Sequence, residues 1–393
     1  MSRVPRTGDY VMTESSNTVL YSRGDFLRLC AQGVGGVAAM GAIPGNLKAL
    51  SMTASDAGNV SNDQPIGRDL REFVHWILDD FEPSIRLPGG AGRYPRQLGQ
   101  TVPALYGVAD MACILYTINA LHPSAAARAE WAATFELFQN PDNGWFREKE
   151  PATLSPQHNT AFALAAMQLL DLKPKFPVKM DAEYAHIATY LNSLDWQTGV
   201  YSGSHKGAGV GSIYVLIPEL HSTSWFASYF STCDSLFDSN NGMMGRGKPA
   251  SGDIDQIGGT FHYSFLYEFF NRQIPYPERR IDSVLGLQRP DGYWSPSNHL
   301  WMTLDAIYLM TRTLRYCPHR FEDVRRSIRR SVKVLDQDVF GPEGRKTTFA
   351  KSDGVHSLKA AISIAAEAQQ FLGSDEVITD WPLKLVLDRR PFI

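Results

Sequence analysis

Residues 285–301, LGLQRPDGYWSPSNHLW, decide the fold. An apolar helical segment ends near Gln288, the chain turns at Pro290-Asp291-Gly292, and a second apolar segment opens after Trp294. Glycine permits the positive φ that such a turn needs, while Gln and Asp side chains can bond the exposed backbone groups at helix ends. The stretch therefore predicts a helical hairpin that is closed by a short polar turn.

The same pattern occurs earlier in the chain. Residues 135–146, FELFQNPDNGWF, parallel residues 284–294, and residues 190–203, YLNSLDWQTGVYSG, form a weaker third copy. The matched residues of the first two copies are Gln139 and Gln288, Asp142 and Asp291, and Trp145 and Trp294. Repetition of this kind is typical of stacked helical hairpins, so we interpret these residues first as structural.

Helical periodicity dominates from Gly67 onward, and no stretch of two-residue alternation is long enough to build a main sheet. We therefore predict an all-α fold with roughly eleven or twelve helices. Residues 1–66 are interpreted as a signal-like leader and flexible linker, and residues 67–393 as a single domain.

The spacing Gln288-x3-Gly292-x-Trp294 resembles the QW repeat of terpenoid cyclases, protein prenyltransferases and their relatives in the α/α-toroid superfamily. The resemblance implies a single (α/α)6-type toroid, in which inner and outer helices alternate around a closed ring. Terpene cyclases, prenyltransferase subunits, glycoside hydrolases and polysaccharide lyases all use this ring. The fold alone therefore does not choose the chemistry.

Composition excludes some partners. Apolar residues make up 44 % of the chain, charged residues 20 %, and the formal net charge is -3. This balance gives no reason to expect a nucleic-acid partner or a surface drawn to membranes. Aromatic residues, at 11 %, suit either a large core or a cleft with aromatic walls.

The N-terminal region has the layout of an export signal. Basic Arg23 and Arg28 precede an apolar run over residues 34–43 that is too short to span a bilayer. Ser-Arg-Gly-Asp-Phe-Leu at 22–27 resembles a twin-arginine signal with Gly24 in place of the second arginine. We expect a periplasmic or extracellular protein with no stable membrane insertion after leader removal.

The redox compartment stays open, since at most one disulfide could form among Cys113, Cys233 and Cys317.

Five histidines fall at or just before the starts of predicted helices. They are His158, His205, His221, His262 and His299. In a toroid such positions face one end of the ring, so we expect at least two of them to share a cavity. No HxxxH or HExxH spacing is present, and we predict neither a metal nor a cofactor.

The favoured function is cleavage of a uronate-containing polysaccharide by β-elimination, which needs a group that neutralises the sugar carboxylate, a base and an acid. We assign Tyr263 as the base and possible acid, with His262 assisting it. His158 and Asn159 neutralise the carboxylate, and Arg289 or Arg246 can clamp it. The set resembles that of helical-toroid polysaccharide lyases of the Asn/His plus Tyr kind.

Further residues are predicted to bind substrate. Trp225, Trp294 and Trp301 offer faces on which sugar rings can stack. Gly207, Gly209 and Gly211 indicate a flexible segment. The remaining predicted binding residues are His205, His221, His299, Asp253 and Asp255.

Three alternatives remain open. A glycoside hydrolase needs two carboxylates, for which Asp253, Asp255, Asp305 and Glu219 are candidates. A terpenoid cyclase uses an Asp-x-Asp-Asp acid, which residues 253–256, DIDQ, resemble except at their last position. A non-catalytic, glycan-binding toroid is the third.

Overall fold

The chain is mostly helical. The computed structural model describes residues 67–148, 154–246, 253–297, 299–351 and 353–392. All of them belong to one compact unit that spans Ala54–Ile393. Within these ranges the strands are Arg68–Asp69 and Val377–Ile378, which pair in parallel with Arg68 opposite Val377. The all-α prediction is confirmed, and the predicted leader and linker lie outside the described residues.

The α-helices are numbered here in chain order. They are α1 (Arg71–Trp76), α2 (Glu82–Ile85), α3 (Leu105–Thr117), α4 (Ala125–Glu136), α5 (Pro156–Leu169), α6 (Ile187–Ser193), α7 (Val200–Leu216), α8 (Thr223–Ser235), α9 (Asp253–Phe269), α10 (Pro277–Gly286), α11 (Leu300–Leu314), α12 (Phe321–Leu335), α13 (Pro342–Thr348), α14 (Gly354–Leu372) and α15 (Val386–Arg389). Short 3₁₀ turns occupy Ala182–His186 and Pro218–Leu220, and π-helical turns occupy Ile77–Phe81 and Asp336–Phe340. None of these described helices combines the length and the apolarity needed to cross a bilayer.

Six long helices contact one another in a closed cycle. In order they are α3, α5, α7, α9, α11 and α14, and α14 packs back against α3. We call them the central helices. In α11, for example, every residue from Met302 to Thr313 is buried. A helix enclosed in this way is apolar around its circumference, so any polar side chain on it calls for a partner or a function.

Other helices cover the central ones with a single apolar face. In α12, Val324, Ile328 and Leu335 are buried against α10, α11 and α14, while Arg326 faces solvent. This is the pattern of an amphipathic helix with one face on the core.

The turn quoted at the outset is held by its glutamine and tryptophan. Gln288 Nε2 donates to the carbonyl oxygens of Gly292 at 3.2 Å and Ser327 at 3.0 Å. The indole nitrogen of Trp294 donates to the Val284 carbonyl at 2.7 Å. Gly292 has a φ of +85°, which glycine adopts without strain. The turn therefore ties one hairpin to the next through backbone carbonyls.

The earlier copy repeats this arrangement. Gln139 Nε2 donates to the carbonyls of Gly144 at 2.9 Å and Phe176 at 2.7 Å. The Trp145 indole donates to the Lys179 carbonyl at 2.7 Å. In both stretches the glutamine thus ties the carbonyl of the turn glycine to the carbonyl of a segment that follows later in the chain.

The predicted flexible segment at Gly207, Gly209 and Gly211 is instead the interior of α7. A Cβ at position 207 would lie 2.0 Å from the Tyr263 hydroxyl, and one at position 209 would lie 2.8 Å from the Gln157 carbonyl carbon. The glycines allow close packing of α7 against α5 and α9. The prediction of a flexible segment was wrong, because these glycines provide space for the neighbouring helices and not backbone flexibility.

Candidate functional site

Three histidines from consecutive central helices converge. His158 on α5, His205 on α7 and His262 on α9 are all buried, and one ring nitrogen of each lies within 4.8 Å of the others. Their ring centroids are 4.7 to 5.6 Å apart. We call these three residues the histidine cluster. The structure thus brings together three of the five histidines that the sequence placed at helix starts.

Two of these histidines are oriented by hydroxyl groups. The hydroxyl of Tyr106 lies 2.8 Å from Nδ1 of His158, and Oγ of Ser204 lies 2.7 Å from Nδ1 of His262. Ser204 donates its own hydroxyl proton to the carbonyl oxygen of Tyr201 at 2.5 Å. Ser204 must therefore accept the Nδ1–H of His262, which leaves Nε2 of His262 as the nitrogen with a lone pair.

Burial keeps the cluster uncharged. It lowers the pKa of His205 to about 4, with His356 adding a smaller repulsion. Burial, and then repulsion among the histidines, also holds the pKa values of His158 and His262 well below the ordinary value. Near neutral pH the cluster consequently offers lone pairs and N–H groups but no positive charge.

An aromatic stack leads from the surface to the cluster. The exposed ring of His299 stacks on Trp301 at 5.4 Å, Trp301 on Tyr201 at 5.3 Å, and Tyr201 on His262 at 5.3 Å. Tyr201 also meets His205 edge-to-face at 4.5 Å. We call His299, Trp301 and Tyr201 the aromatic shelf. Flat apolar faces beside polar groups are common in small-molecule and sugar sites.

A histidine–carboxylate pair adjoins the cluster through Tyr106. Nδ1 of His356, on α14, is 3.0 Å from the fully buried carboxylate of Asp110 on α3. The His356 ring meets Tyr106 edge-to-face at 5.5 Å, and Tyr106 stacks on His158. A carboxylate that holds one imidazole nitrogen fixes the ring and leaves Nε2 available as a base.

Two cationic side chains, Lys359 and Arg96, lie near Asp110 and Tyr106, and each of them is directed at a carboxylate. Lys359 Nζ lies 4.0 Å from Asp110, and Arg96 donates to Asp353 at 2.9 Å while its guanidinium covers the Tyr106 ring at 4.8 Å. Their charge is therefore largely balanced within the site.

Two polar groups at or near the histidine cluster have no hydrogen-bond partner among the described residues. One is the Tyr201 hydroxyl, and the other is the carboxyl group of Asp305 on α11, which is 3 % exposed. Burial raises the pKa of both groups well above their ordinary values, and the nearby charge of Asp305 adds to the shift of Tyr201. Gly258 separates them, since a Cβ there would lie 2.5 Å from the Tyr201 ring and 3.4 Å from the Asp305 carboxylate. Polar groups that lack a protein partner beside the cluster are available to a ligand.

Tyr263, the predicted base, does not face the cluster. Its ring packs against Trp196 and Tyr229, and its hydroxyl is fully buried beside Gly207 without a hydrogen-bond partner. Burial raises the pKa of its hydroxyl well above the ordinary value. The expectation that Tyr263 shares one cavity with His262 was wrong because neighbouring residues on a helix point about 100° apart.

Several predicted binding residues also lie elsewhere. Trp225 stacks on Tyr214 at 3.8 Å and donates to the Tyr184 carbonyl, so it is part of the packing. His221 Nε2 lies 2.8 Å from the Val215 carbonyl oxygen, beyond the C-terminal end of α7. These contacts give neither side chain a place beside the cluster.

The remaining predicted residues occupy different settings. Trp294 and Arg289 belong to the hairpin turn, where Arg289 pairs with Asp291 at 3.0 Å. Asn159 is buried, and its Oδ1 has no hydrogen-bond partner among the described residues. Asp255 accepts a hydrogen bond from the Tyr201 backbone nitrogen at 3.1 Å, which places it beside the aromatic shelf. Asp253 begins α9, and its side chain lies outside the description.

Sequence reasoning missed Tyr201, Tyr106, Asp110, His356 and Lys359 as members of the site. His356 carried a usable signal, because it is the third residue of α14 just as His158 is the third residue of α5. Asp110 and Lys359 carried another, since each is an ionisable residue within a helix that is otherwise buried. The weaker third repeat predicts that Tyr201 lies in a hairpin turn, whereas it is the second residue of α7.

The arrangement suits acid–base chemistry on a bound ligand. It combines an oriented imidazole, a protonated phenol and a buried carboxyl group around three neutral histidines. Comparison of the chain with family models, with curated proteins and with solved structures finds no match to any of them. The case for a function therefore rests on this geometry.

Proposed function

We propose that the protein is a polysaccharide lyase that cleaves a uronate-containing polymer by β-elimination, with its active site at the histidine cluster. The proposal includes an α/α toroid, for which the closed cycle of central helices is the support. The leader-like N-terminal sequence suits an exported enzyme, which meets such polymers outside the cytoplasm.

One observation carries the proposal. Tyr201, whose hydroxyl has no partner among the described residues, lies against His205 and His262, while His356, held by Asp110, reaches the cluster through the Tyr106 ring that stacks on His158. A proton donor and a proton acceptor thus both adjoin one polar site. Elimination needs this disposition, because a proton leaves one carbon while the leaving oxygen of the neighbouring carbon gains one.

The roles follow from the protonation states. Nε2 of His356 takes the proton from the carbon that bears the carboxylate, and its electron pair forms the double bond as the glycosidic carbon–oxygen bond breaks. Tyr201 is protonated near neutral pH, as a phenol ordinarily is, and burial raises the pKa of its hydroxyl further, so a proton is available for the leaving oxygen. In this proposal the uronate carboxylate binds at the histidine cluster, which adjoins both residues.

The aromatic shelf supports a sugar polymer as the substrate. His299 is exposed, Trp301 is half-buried, and their rings continue the stack that ends at His262. A chain of sugar rings could lie along these faces while one uronate enters the cluster. Trp301 and His299 thereby keep the binding roles predicted from the sequence, whereas Trp225 and Trp294 do not.

A glycoside hydrolase is the second candidate, and Asp305 is the observation that favours it. Its carboxyl group is buried next to Tyr201, and its pKa is raised well above the ordinary value, as a general acid requires. Asp255, on the other side of the Tyr201 backbone, would be the second carboxylate. Hydrolysis, unlike elimination, adds water and leaves no unsaturated sugar.

The test uses purified protein with alginate and glucuronan. We expect the ultraviolet absorbance of the unsaturated sugar end to rise, and His356→Asn to slow that rise about 10²- to 10⁴-fold. The matched control is His122→Asn, which changes an exposed histidine and should keep the wild-type rate. New reducing ends without the absorbance would establish the hydrolase, and no turnover of any uronate polymer would contradict the lyase.

A further inference from the structure

The histidine cluster has a feature that elimination chemistry alone does not explain. Nε2 of His262 carries a lone pair, and neither ring nitrogen of His205 has a hydrogen-bond partner among the described residues. One ring nitrogen from each of His158, His205 and His262 lies within 4.8 Å of the other two. Imidazole nitrogens that carry lone pairs and lie this close together can bind a cation.

We infer that His158, His205 and His262 bind one divalent transition-metal ion of the zinc class. Imidazole nitrogen is a favoured ligand of Zn²⁺ and of the chemically similar Co²⁺. Three histidines from three different helices form a set that short sequence spacing cannot reveal, because the ligands are 47 and 57 residues apart in the chain (205 − 158 and 262 − 205).

The separations suit such an ion after movement of the side chains. Zinc lies about 2.0–2.1 Å from each imidazole nitrogen, so ligand nitrogens at tetrahedral angles are about 3.3 Å apart. The nitrogens here lie within 4.8 Å of one another, so an inward shift of at most about 1.5 Å brings them to that separation, which side-chain rotation can supply. The ring planes of His158 and His205 are 74° apart, and those of His205 and His262 are 69° apart, so the rings approach from different directions.

The surroundings match those of metal-binding histidines. Such histidines nearly always use their second nitrogen in a hydrogen bond that fixes the ring, as Nδ1 of His158 does with Tyr106 and Nδ1 of His262 does with Ser204.

An ordinary core role accounts for these contacts less well. A buried histidine is normally satisfied through both of its nitrogens, since an unsatisfied buried polar group destabilises the fold. Here three imidazoles are gathered at one point without a hydrogen bond between any two of them. A shared ion satisfies all three at once.

The inferred ion also adds a step to the proposed function, namely the binding of the uronate carboxylate, and only this step rests on that function. Three protein ligands leave at least one position open, as in catalytic rather than structural zinc sites. A uronate carboxylate at that position would have its charge neutralised, which makes the neighbouring carbon acid stronger. Lys359 and Arg96 supply less of this charge, since they are directed at Asp110 and Asp353.

The test titrates untagged, chelator-treated full-length protein with Zn²⁺ or Co²⁺ alone, followed by calorimetry and by the visible absorption of Co²⁺. We expect one ion per chain with micromolar or tighter affinity, weakened at least about 100-fold by His205→Ala or His262→Ala. His221→Ala is the control, because that histidine lies at the far end of α7, and it should leave the affinity unchanged. Circular dichroism reports whether each variant folds, and His205→Gln replaces any alanine variant that does not.

The outcomes separate the two proposals. Absence of tight binding to the wild-type chain, or binding that the cluster variants leave intact, overturns the metal site whatever the activity. One tightly bound ion without cleavage of any uronate polymer keeps the metal site and overturns the lyase. Elimination at the full rate by metal-free protein keeps the lyase and overturns the role of the ion in elimination.

Discussion

Nδ1 of His262 lies 2.7 Å from Oγ of Ser204, and the same hydroxyl donates to the carbonyl of Tyr201 at 2.5 Å. One serine therefore fixes the tautomer of a cluster histidine and also contacts the backbone of the residue proposed as the acid. The link is local to α7, since Ser204 and Tyr201 are three residues apart on one helix.

Ser204→Ala tests this orienting role. We expect the affinity for Co²⁺ to fall about 10- to 100-fold, because His262 loses the acceptor that holds its Nδ1–H. Ser264→Ala is the matched control, since Ser264 is also a buried serine on a central helix and donates to the Thr260 carbonyl. Equal Co²⁺ affinities for the two variants would show that Ser204 does not orient the ligand.

Gly207→Ala tests the close approach of α7 to α9. We expect the free energy of unfolding to fall by about 1–3 kcal/mol, because the new methyl group would meet the Tyr263 hydroxyl and Leu191. Tyr263→Phe removes that hydroxyl and should recover part of the loss, so urea unfolding of the double variant would show coupling.

The control for this packing test is Gly286→Ala. No atom lies within 4 Å of the position its methyl group would take, so we expect no loss of stability. If Gly207→Ala were as stable as Gly286→Ala, the contact between α7 and α9 would be looser than described.

Gln139→Ala and Gln288→Ala test whether the repeated turns are structural. Each variant leaves backbone carbonyls without their donor, so we expect the free energy of unfolding to fall by about 1–3 kcal/mol. Gln273, an exposed glutamine, supplies the control variant Gln273→Ala. Urea unfolding measures the change, and Co²⁺ affinity should be unaltered in all three. A specific loss of Co²⁺ affinity would instead link the turns to the site.

Asp305→Asn tests whether the carboxyl group of Asp305 is protonated in the folded protein, through the dependence of stability on pH. The pKa of Asp305 is raised in the folded protein, so the folded state holds a proton that the unfolded state releases above about pH 4. Wild-type stability should therefore lose up to about 1.4 kcal/mol per pH unit from this group as the pH rises, until the pH passes the folded pKa.

Asparagine carries no such proton, so the stability of Asp305→Asn relative to wild type should increase with pH. Urea unfolding at about pH 5, 6 and 7 measures the difference. Glu343→Gln, at an exposed position, should show no comparable trend. Parallel pH profiles for Asp305→Asn and wild type would mean that Asp305 is ionised in the folded protein.

The hairpin turns were predictable from sequence because their causes are local. In both copies a tryptophan follows six residues after a glutamine, a glycine with positive φ lies between them, and the glutamine donates to the carbonyl of that glycine. His158 and His262 were likewise recognisable as polar residues near the starts of apolar helices. Which of them meet was not, since that depends on how α5, α7 and α9 rotate about their axes.

The prediction that Tyr263 lies at the cluster was wrong for this reason. It follows His262 directly, and on a helix this turns it about 100° away, into the packing beside Gly207. Tyr201 reaches the cluster instead because it lies one turn before His205 on α7. His221 lies beyond the C-terminal end of α7. The last residue of that helix, Leu216, is about 16 Å along the helix axis from His205.

Tyr201→Phe compared with Tyr263→Phe is the most direct test of the proposed site. Both tyrosines have hydroxyls without a described partner, but only Tyr201 lies at the cluster. The measurement is the rate at which each variant forms unsaturated ends on a uronate polymer. We predict a loss of about 10²- to 10⁴-fold for Tyr201→Phe and a near wild-type rate for Tyr263→Phe. A full rate for Tyr201→Phe would contradict the proposed site.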